Sequence, residues 1–136
     1  MEELAARERF AAARTATLAT ADSQGTPHLV PIVFAVQDDQ IAFAVDHKPK
    51  KTPDLRRLRN IVANERVCLL VDHYDEDWSR LWWARADGRA AIVEDPSERA
   101  TWIARLGERY EPYRSRPPEG PVVVITVDRW SGWSYQ

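Results

Sequence analysis

Between Thr15 and Val45 apolar residues either alternate with polar ones or fuse into short runs, and turn-forming residues separate the runs. TATLATA (15–21) is β-branched and alternating, SQGT is a turn, and PHLVPIVFAV (27–36) resumes as one long apolar strand. Residues 22–27 therefore predict a hairpin. QDDQ then turns the chain into a third strand, IAFAV, and three sequential strands joined by short turns make a meander. Ahead of them, residues 2–12 combine Glu2, Glu3, several alanines, Leu4 and Phe10, a composition that favours a short amphipathic helix.

In DHKPKKTPDLRRLRNIVAN, Thr52 reads as an N-cap, Pro53 as a first-turn proline and Asp54 as a favourable first-turn acid, so a helix is expected over 53–64. Leu55, Leu58, Ile61 and Val62 share its apolar face. RVCLLVDHY is a fourth strand, DEDWSR a polar loop, and LWWARADGRAAIVE a long fifth strand that bends near Gly88. Pro96 starts a helix carrying Trp102, Ile103 and Leu106 at helical spacing, EPYRSRPPEG breaks it, and PVVVITVDRWSGWSY is a sixth strand.

Six strands with two inserted helices are too few for two independent sheets. The expectation is a single mainly β domain over 1–136, a six-stranded barrel whose closure removes exposed edges. Small barrels fill their interiors with side chains, so a sizeable ligand must lie on the wall or between subunits. That points to a homodimeric site.

Composition narrows the function. The chain has 136 residues, a common size for one domain, with 44% hydrophobic and 29% charged residues, as expected of a folded globular protein. A formal net charge of −2 argues against a dedicated nucleic-acid binder. Cys68, the single cysteine, rules out an intrachain disulfide or a multi-cysteine zinc site. MEELAARERF lacks the apolar core of a secretory signal, and no stretch approaches the ~20 apolar residues that span a bilayer. A cytoplasmic protein with no membrane partner is expected.

The basic residues concentrate in one place. Lys48, Lys50, Lys51, Arg56, Arg57 and Arg59 stand against Asp46 and Asp54, and three of these cations directly precede the expected helix start, where free backbone N–H groups favour an anion. With the Thr52 hydroxyl they would hold a phosphate; the alternative is a solvated basic loop. Trp82 and Trp83 are strand neighbours and must point to opposite faces, so at most one enters the barrel while the other packs an interface or borders a planar ligand. His28, His47 and His73 fall in no metal-ligand spacing, and Asp75, Glu76 and Asp77 read as solvated loop acids; no metal is expected. GxGxxG, GxxxxGK[ST] and GxSxG are all missing. An enzyme whose cofactor carries the chemistry needs few catalytic side chains.

In order along the chain, TATLATADSQGTPHLVPIVFAV, KPKKTPDLRRLRNIVANERVCLLVDHY and DWSRLWWARADGRA resemble the split-barrel flavin and deazaflavin proteins related to pyridoxamine 5′-phosphate oxidase, most of all the branch that uses coenzyme F420. The resemblance implies an FMN-binding-protein-like homodimer with two cofactor sites at the interface. It places the ring along His28, Val30, Pro31 and Ile32, the phosphate on Lys50, Lys51 and Thr52 with help from Arg57, and Trp82 or Trp83 where the partner subunit approaches. Lys48 and the helix arginines suit the acidic tail of F420. The implied activity is an F420-dependent oxidoreductase delivering hydride to a small unsaturated or conjugated substrate, with His28 and Tyr74 as possible proton donors. The alternatives are an FMN-binding oxidase or flavin reductase, or a non-catalytic cofactor-binding protein. The paired arginine and histidine substrate motif of true pyridoxamine phosphate oxidases is not recognised.

Overall fold

The computed structural model describes residues 1–45 and 55–135. In these residues α1 (Glu3–Ala12) precedes β1 (Ala16–Ala21), β2 (Pro27–Ile32), β3 (Ala35–Gln37) and β4 (Gln40–Ala44). There follow α2 (Arg56–Ala63), β5 (Arg66–His73), β6 (Trp82–Ile92), α3 (Pro96–Arg109), α4 (Glu111–Ser115) and β7 (Val122–Ser134). No helix among the described residues is long and apolar enough to cross a membrane.

The strands form one antiparallel sheet in the order β2-β1-β5-β6-β7-β4-β3, seven strands where six were expected. The difference lies in PHLVPIVFAV. Its first part, β2, pairs with β1 from Pro27↔Ala21 to Ile32↔Ala16, whereas its last part, β3, pairs with β4 at the opposite edge. Only Val33 and Phe34 separate the two edge strands, and three Cα steps span at most about 11 Å. The edges must therefore approach each other, and the sheet curls into a half-barrel.

That corner is held by hydrogen bonds made with α3. The Phe34 N–H donates to the Tyr110 hydroxyl at 3.2 Å, and Tyr110 donates to the Arg14 carbonyl at 2.9 Å. Arg109 Nη1 donates to the Phe34 carbonyl at 3.1 Å. A backbone that leaves one ladder before joining another would otherwise bury unpaired polar groups, which is costly.

Local chemistry accounts for the other joints. In the β1–β2 turn, Asp22 accepts the N–H groups of Gln24 and Thr26 at 2.9 Å, and Gly25 takes a φ of +86° that favours glycine. Those backbone bonds, Thr26 first, hold the Asp22 carboxyl below its ordinary value. At the β6–β7 irregularity after Asp87, a Cβ on Gly88 would collide with the Thr126 carbonyl, so the expected bend is built around a residue without one. Asp95 caps α3 by accepting the Glu98 N–H at 3.0 Å, with Pro96 in the first turn.

Two helices differ from expectation. Leu55 is extended and occupies the N-cap position of α2, so helical bonding starts at Arg56; Thr52, Pro53 and Asp54, expected to start it, lie outside the described residues. Val62 is exposed, while Leu58 and Ile61 enter the core. In their place beside them, buried Asn60 donates from Nδ2 to Thr20 Oγ1 at 3.0 Å and ties α2 to β1. The EPYRS stretch, expected to be irregular, forms α4, because Pro112 falls in the first turn, where its missing N–H has no helical role.

The inner face of the curl is packed solid. Phe10 meets Phe34 at 5.0 Å and the edge of Trp130 at 5.4 Å, with Leu18, Phe43, Leu69 and Ile125 around them. A second cluster lies on the outer side of β3, β4 and β7, where Trp102, Leu106 and Tyr110 of α3 cover Ala35, Ala42, Ala44, Val122 and Val124.

Candidate functional site

Strand alternation sends half of every strand outward, and the outer side of β2, β1, β5 and β6 is apolar as well. Thr17 and Ala19 from β1, Leu29 from β2, Cys68, Leu70 and Asp72 from β5, and Trp83 and Arg85 from β6 line a groove of about 520 Å³. The pairings Ala19↔Leu29, Ala19↔Cys68, Thr17↔Leu70, Leu70↔Arg85 and Asp72↔Trp83 place them side by side. Leu29 is 65% and Leu70 39% exposed. Trp133, opposite Trp83 on β7, extends the same surface and is also exposed.

Polar groups in the groove are few and fixed. Arg85 Nε donates to Asp87 Oδ2 at 3.1 Å, and its guanidinium lies 5.8 Å from the Trp83 ring centre. Burial, with the Asp87 charge beside it, pushes the Cys68 thiol up to about 11. The thiol is thus protonated at neutral pH and lines the groove as a small apolar group.

The sequence-predicted residues separate by face. His28, Val30 and Ile32 of β2 pair with Thr20, Leu18 and Ala16 and share their inner side; Pro31, opposite Thr17, belongs to the outer side with Leu29. His28 Nδ1 is buried without a hydrogen-bond partner, away from the groove. Trp82 and Trp83 part as alternation requires. Trp82 packs against the core under the Arg9 guanidinium, 5.0 Å from its ring centre, and stacks with His73, while Trp83 belongs to the groove.

Arg57 is half-buried, and that burial lowers its pKa, with Tyr113 close enough to oppose the shift. Arg56 lies within electrostatic reach of Asp22 at the β1–β2 turn. Lys48, Lys50, Lys51 and Thr52, the core of the expected phosphate grip, lie outside the described residues. Tyr74 follows β5 and receives the Trp78 Nε1–H at 3.4 Å. Asp75 and Asp77 spend carboxylate oxygens on the N–H groups of Asp77 and Ser79, shaping the loop around them.

Leu29, Leu70, Cys68 and Arg85 were not named from sequence as site residues. The available signal was VCLLV, apolar in both phases of the strand period. A strand at the wall of a solvated barrel should be apolar in one phase only, so the outward Cys68 and Leu70 already mark a face that something covers.

The sequence profile described as pyridoxamine 5′-phosphate oxidase matches residues 3–134. No curated protein matches the chain. Among solved structures, a conserved hypothetical protein from Mycobacterium tuberculosis superposes with a TM-score of 0.80 at 25% identity, covering 98% of this chain and 85% of its own. An FAD-binding protein from Mesorhizobium loti gives a TM-score of 0.74 at 20% identity, with 97% and 94% covered. The heme storage protein HutZ from Vibrio cholerae gives 0.73 at 20% identity, with 98% and 95% covered.

Proposed function

The chain belongs to the pyridoxamine 5′-phosphate oxidase family, and from that membership we propose that it is a redox enzyme holding a flavin-type tricyclic cofactor in the outer groove, between two copies of the chain. The observation that carries this reading is the apolar patch itself: among the described residues, Leu29, Leu70, Trp83 and Trp133 stand exposed or half-buried on the outer side of a sheet whose inner side is packed and whose outer side at β3, β4 and the start of β7 is covered by α3. A volume of about 520 Å³ is within the range of small-molecule sites, and a floor of Thr17, Ala19 and Cys68 is low enough to admit a flat ring.

The chain's own residues would divide the work. Leu29, Pro31 and Leu70 exclude water from the ring, and Trp83 borders it. Arg85, anchored by Asp87, presents its remaining N–H groups to a carbonyl edge. Lys50, Lys51 and Thr52 would take the phosphate with Arg57, whose half-buried guanidinium gains from an anion that restores its lost solvation. Once bound, the cofactor supplies hydride transfer. Cys68 stays protonated and does not compete for the substrate. His28, turned inward, leaves proton delivery to water or to Tyr74.

Coenzyme F420 is the first choice of cofactor, because Lys48 and the α2 arginines suit its acidic tail and the activity is then hydride delivery to a small conjugated acceptor. FMN is the second, and it is favoured by the fold shared with the FAD-binding Mesorhizobium protein. Heme fits less well. His28 and His73, the described histidines, both turn to the side opposite the groove.

Fluorescence titration of the purified protein with F420, FMN and FAD tests the reading. We expect one site per chain and tightest binding of F420. Lys50→Ala with Lys51→Ala should weaken binding by several kcal/mol at most, since each charged hydrogen bond contributes about 1.5–3 kcal/mol. Failure to bind any of the three would refute the proposal.

A further inference from the structure

Among the described residues the core holds two polar residues, Thr20 at 4% and Asn60 at 5% exposed, and they bond to each other across the joint between β1 and α2. Leu58 and Ile61 of the same helix are buried with Asn60, and α2 rests on β1 and β6. A leucine at position 60 would hold this helix about as firmly, because a neutral hydrogen bond adds little net stability once the amide has been desolvated. What the amide adds is direction. Apolar contact tolerates a helix sliding or turning on its sheet, whereas a buried polar pair is satisfied at one register only.

The register selected here places a charge. From Asn60 back to Arg56 is one turn of α2, about 6 Å along the helix axis. From Thr20 on to Asp22 is two residues of extended chain, about 6.6 Å. The two steps match, so with Asn60 on Thr20 the Arg56 side chain arrives near Asp22 at the β1–β2 turn. The Asp22 carboxyl is held below its ordinary value first by the N–H groups of Thr26 and Gln24, and it also feels the Arg56 charge. Arg57 follows directly and is half-buried, so its guanidinium travels with the helix and has little freedom to search. A slip of one turn, about 5.4 Å, would carry both cations away from the turn.

We propose that the Asn60–Thr20 pair is a register pin: two positioning residues, touching no ligand, that fix the basic edge of α2 and thereby set the affinity for the phosphate of a bound cofactor. The proposal rests on the reading of Arg57 as part of the phosphate grip and adds what holds that group in place.

FMN and riboflavin share a ring and differ by the phosphate, so the ratio of their affinities, from fluorescence titration of the full chain, reads the phosphate seat alone. Asn60→Leu combined with Thr20→Val removes both polar partners at similar volume and should leave the urea midpoint near its native value. The ratio should nevertheless fall about tenfold, the mark of one lost charged hydrogen bond, with riboflavin affinity unchanged. Thr20→Ser keeps the hydroxyl and should keep the ratio. Thr20→Val alone should lower it, which decides the matter if the double variant fails to fold. A bond that only stabilises the fold predicts a native ratio in the stable double variant, and that result would overturn the proposal. Calorimetric titration with inorganic pyrophosphate repeats the comparison without a ring and should show the same loss. Equal pyrophosphate binding by the native chain and the double variant, or none by the native chain, would also overturn it. Pyrophosphate binding that follows the expected pattern in a chain that takes neither flavin would refute the groove as a cofactor site and leave the pin standing.

Discussion

On the outer side of β3, β4 and β7, α3 lays Trp102, Leu106 and Tyr110 over Ala35, Ala42, Ala44, Val122 and Val124, and Trp102 is 2% exposed. On the outer side of β2, β1, β5 and β6, the same alternation delivers Leu29, Leu70, Trp83 and, from β7, Trp133 to a face with no helix over it among the described residues. Both regions belong to one sheet and follow one periodicity. What differs is the partner. Where the chain supplies its own cover, it uses small residues on the sheet beneath a large indole. Where it does not, it uses large side chains on the sheet around a low floor, the arrangement of a surface made to receive something. The contrast separates residues that stabilise this fold from residues that give it a function.

Substitutions on the two faces should therefore have opposite consequences. The largest effect on stability belongs to the covered face. Trp102→Ala should cost about 3–5 kcal/mol in urea unfolding, the range for deleting a buried aromatic side chain, and cofactor affinity of the surviving folded fraction should hardly change. If Trp102→Ala left stability intact, the cover of α3 would be dispensable and the contrast would fail.

Next in size is a chemical effect on the bare face. Raising a thiol from about 9 to about 11 cuts its thiolate fraction near pH 8 by about a hundredfold, so iodoacetamide should modify Cys68 about that much more slowly than a free thiol and faster as pH approaches 11. The sign extends to stability. The folded state prefers the protonated thiol, so this contribution is complete below pH 9 and is lost as pH rises through 11. Asp87→Asn should lower the Cys68 pKa only in part, because burial is the larger cause. Rapid alkylation at neutral pH would show that the groove floor is wetter than the structure places it.

A smaller loss is expected at the seam. Tyr110→Phe keeps the ring against the second cluster but leaves the Phe34 N–H without its acceptor, for a cost of about 1–3 kcal/mol in thermal or denaturant unfolding. A neutral result would mean that the β2–β3 corner does not depend on its hydroxyl.

The smallest stability effect is predicted for Leu70→Glu, within about 0.5 kcal/mol for a single chain, since surface substitutions away from packed features rarely exceed that. Its effect should appear in sedimentation instead. A charge in the centre of the face proposed to be shared should convert the proposed dimer to monomer at micromolar concentration.

Much of the fold was legible because local rules act strongly where they act alone. The β1–β2 hairpin, the proline start of α3 and the bend at Gly88 each follow from a few residues whose chemistry has one structural outcome. PHLVPIVFAV concealed its break for the opposite reason. Val33 packs against the second cluster and Phe34 against the first, so both phases are apolar and the alternation that would mark a strand's end disappears. What redirects the chain there is Tyr110, 76 residues away from Phe34.

The candidate site was legible as a kind of chemistry and less so as a surface. The opposed directions of Trp82 and Trp83 follow from strand period alone. Which outward residues from four strands become neighbours depends on register, and register is set by the whole sheet. His28, Val30, Pro31 and Ile32 were named from the resemblance as lying along the ring-bearing strand, and strand alternation divides them, with Pro31 turned outward beside Leu29 and the other three inward.

The most direct test of the bare face as a shared cofactor site is cofactor binding measured alongside oligomeric state in the native chain and in Leu70→Glu. Analytical ultracentrifugation with absorbance detection at the cofactor band follows both quantities in one sample. The native chain should sediment as a dimer carrying one cofactor per subunit, and Leu70→Glu should sediment as a folded monomer that carries none. A native monomer that holds its cofactor, or a Leu70→Glu chain that binds as tightly as the native one, would contradict the account.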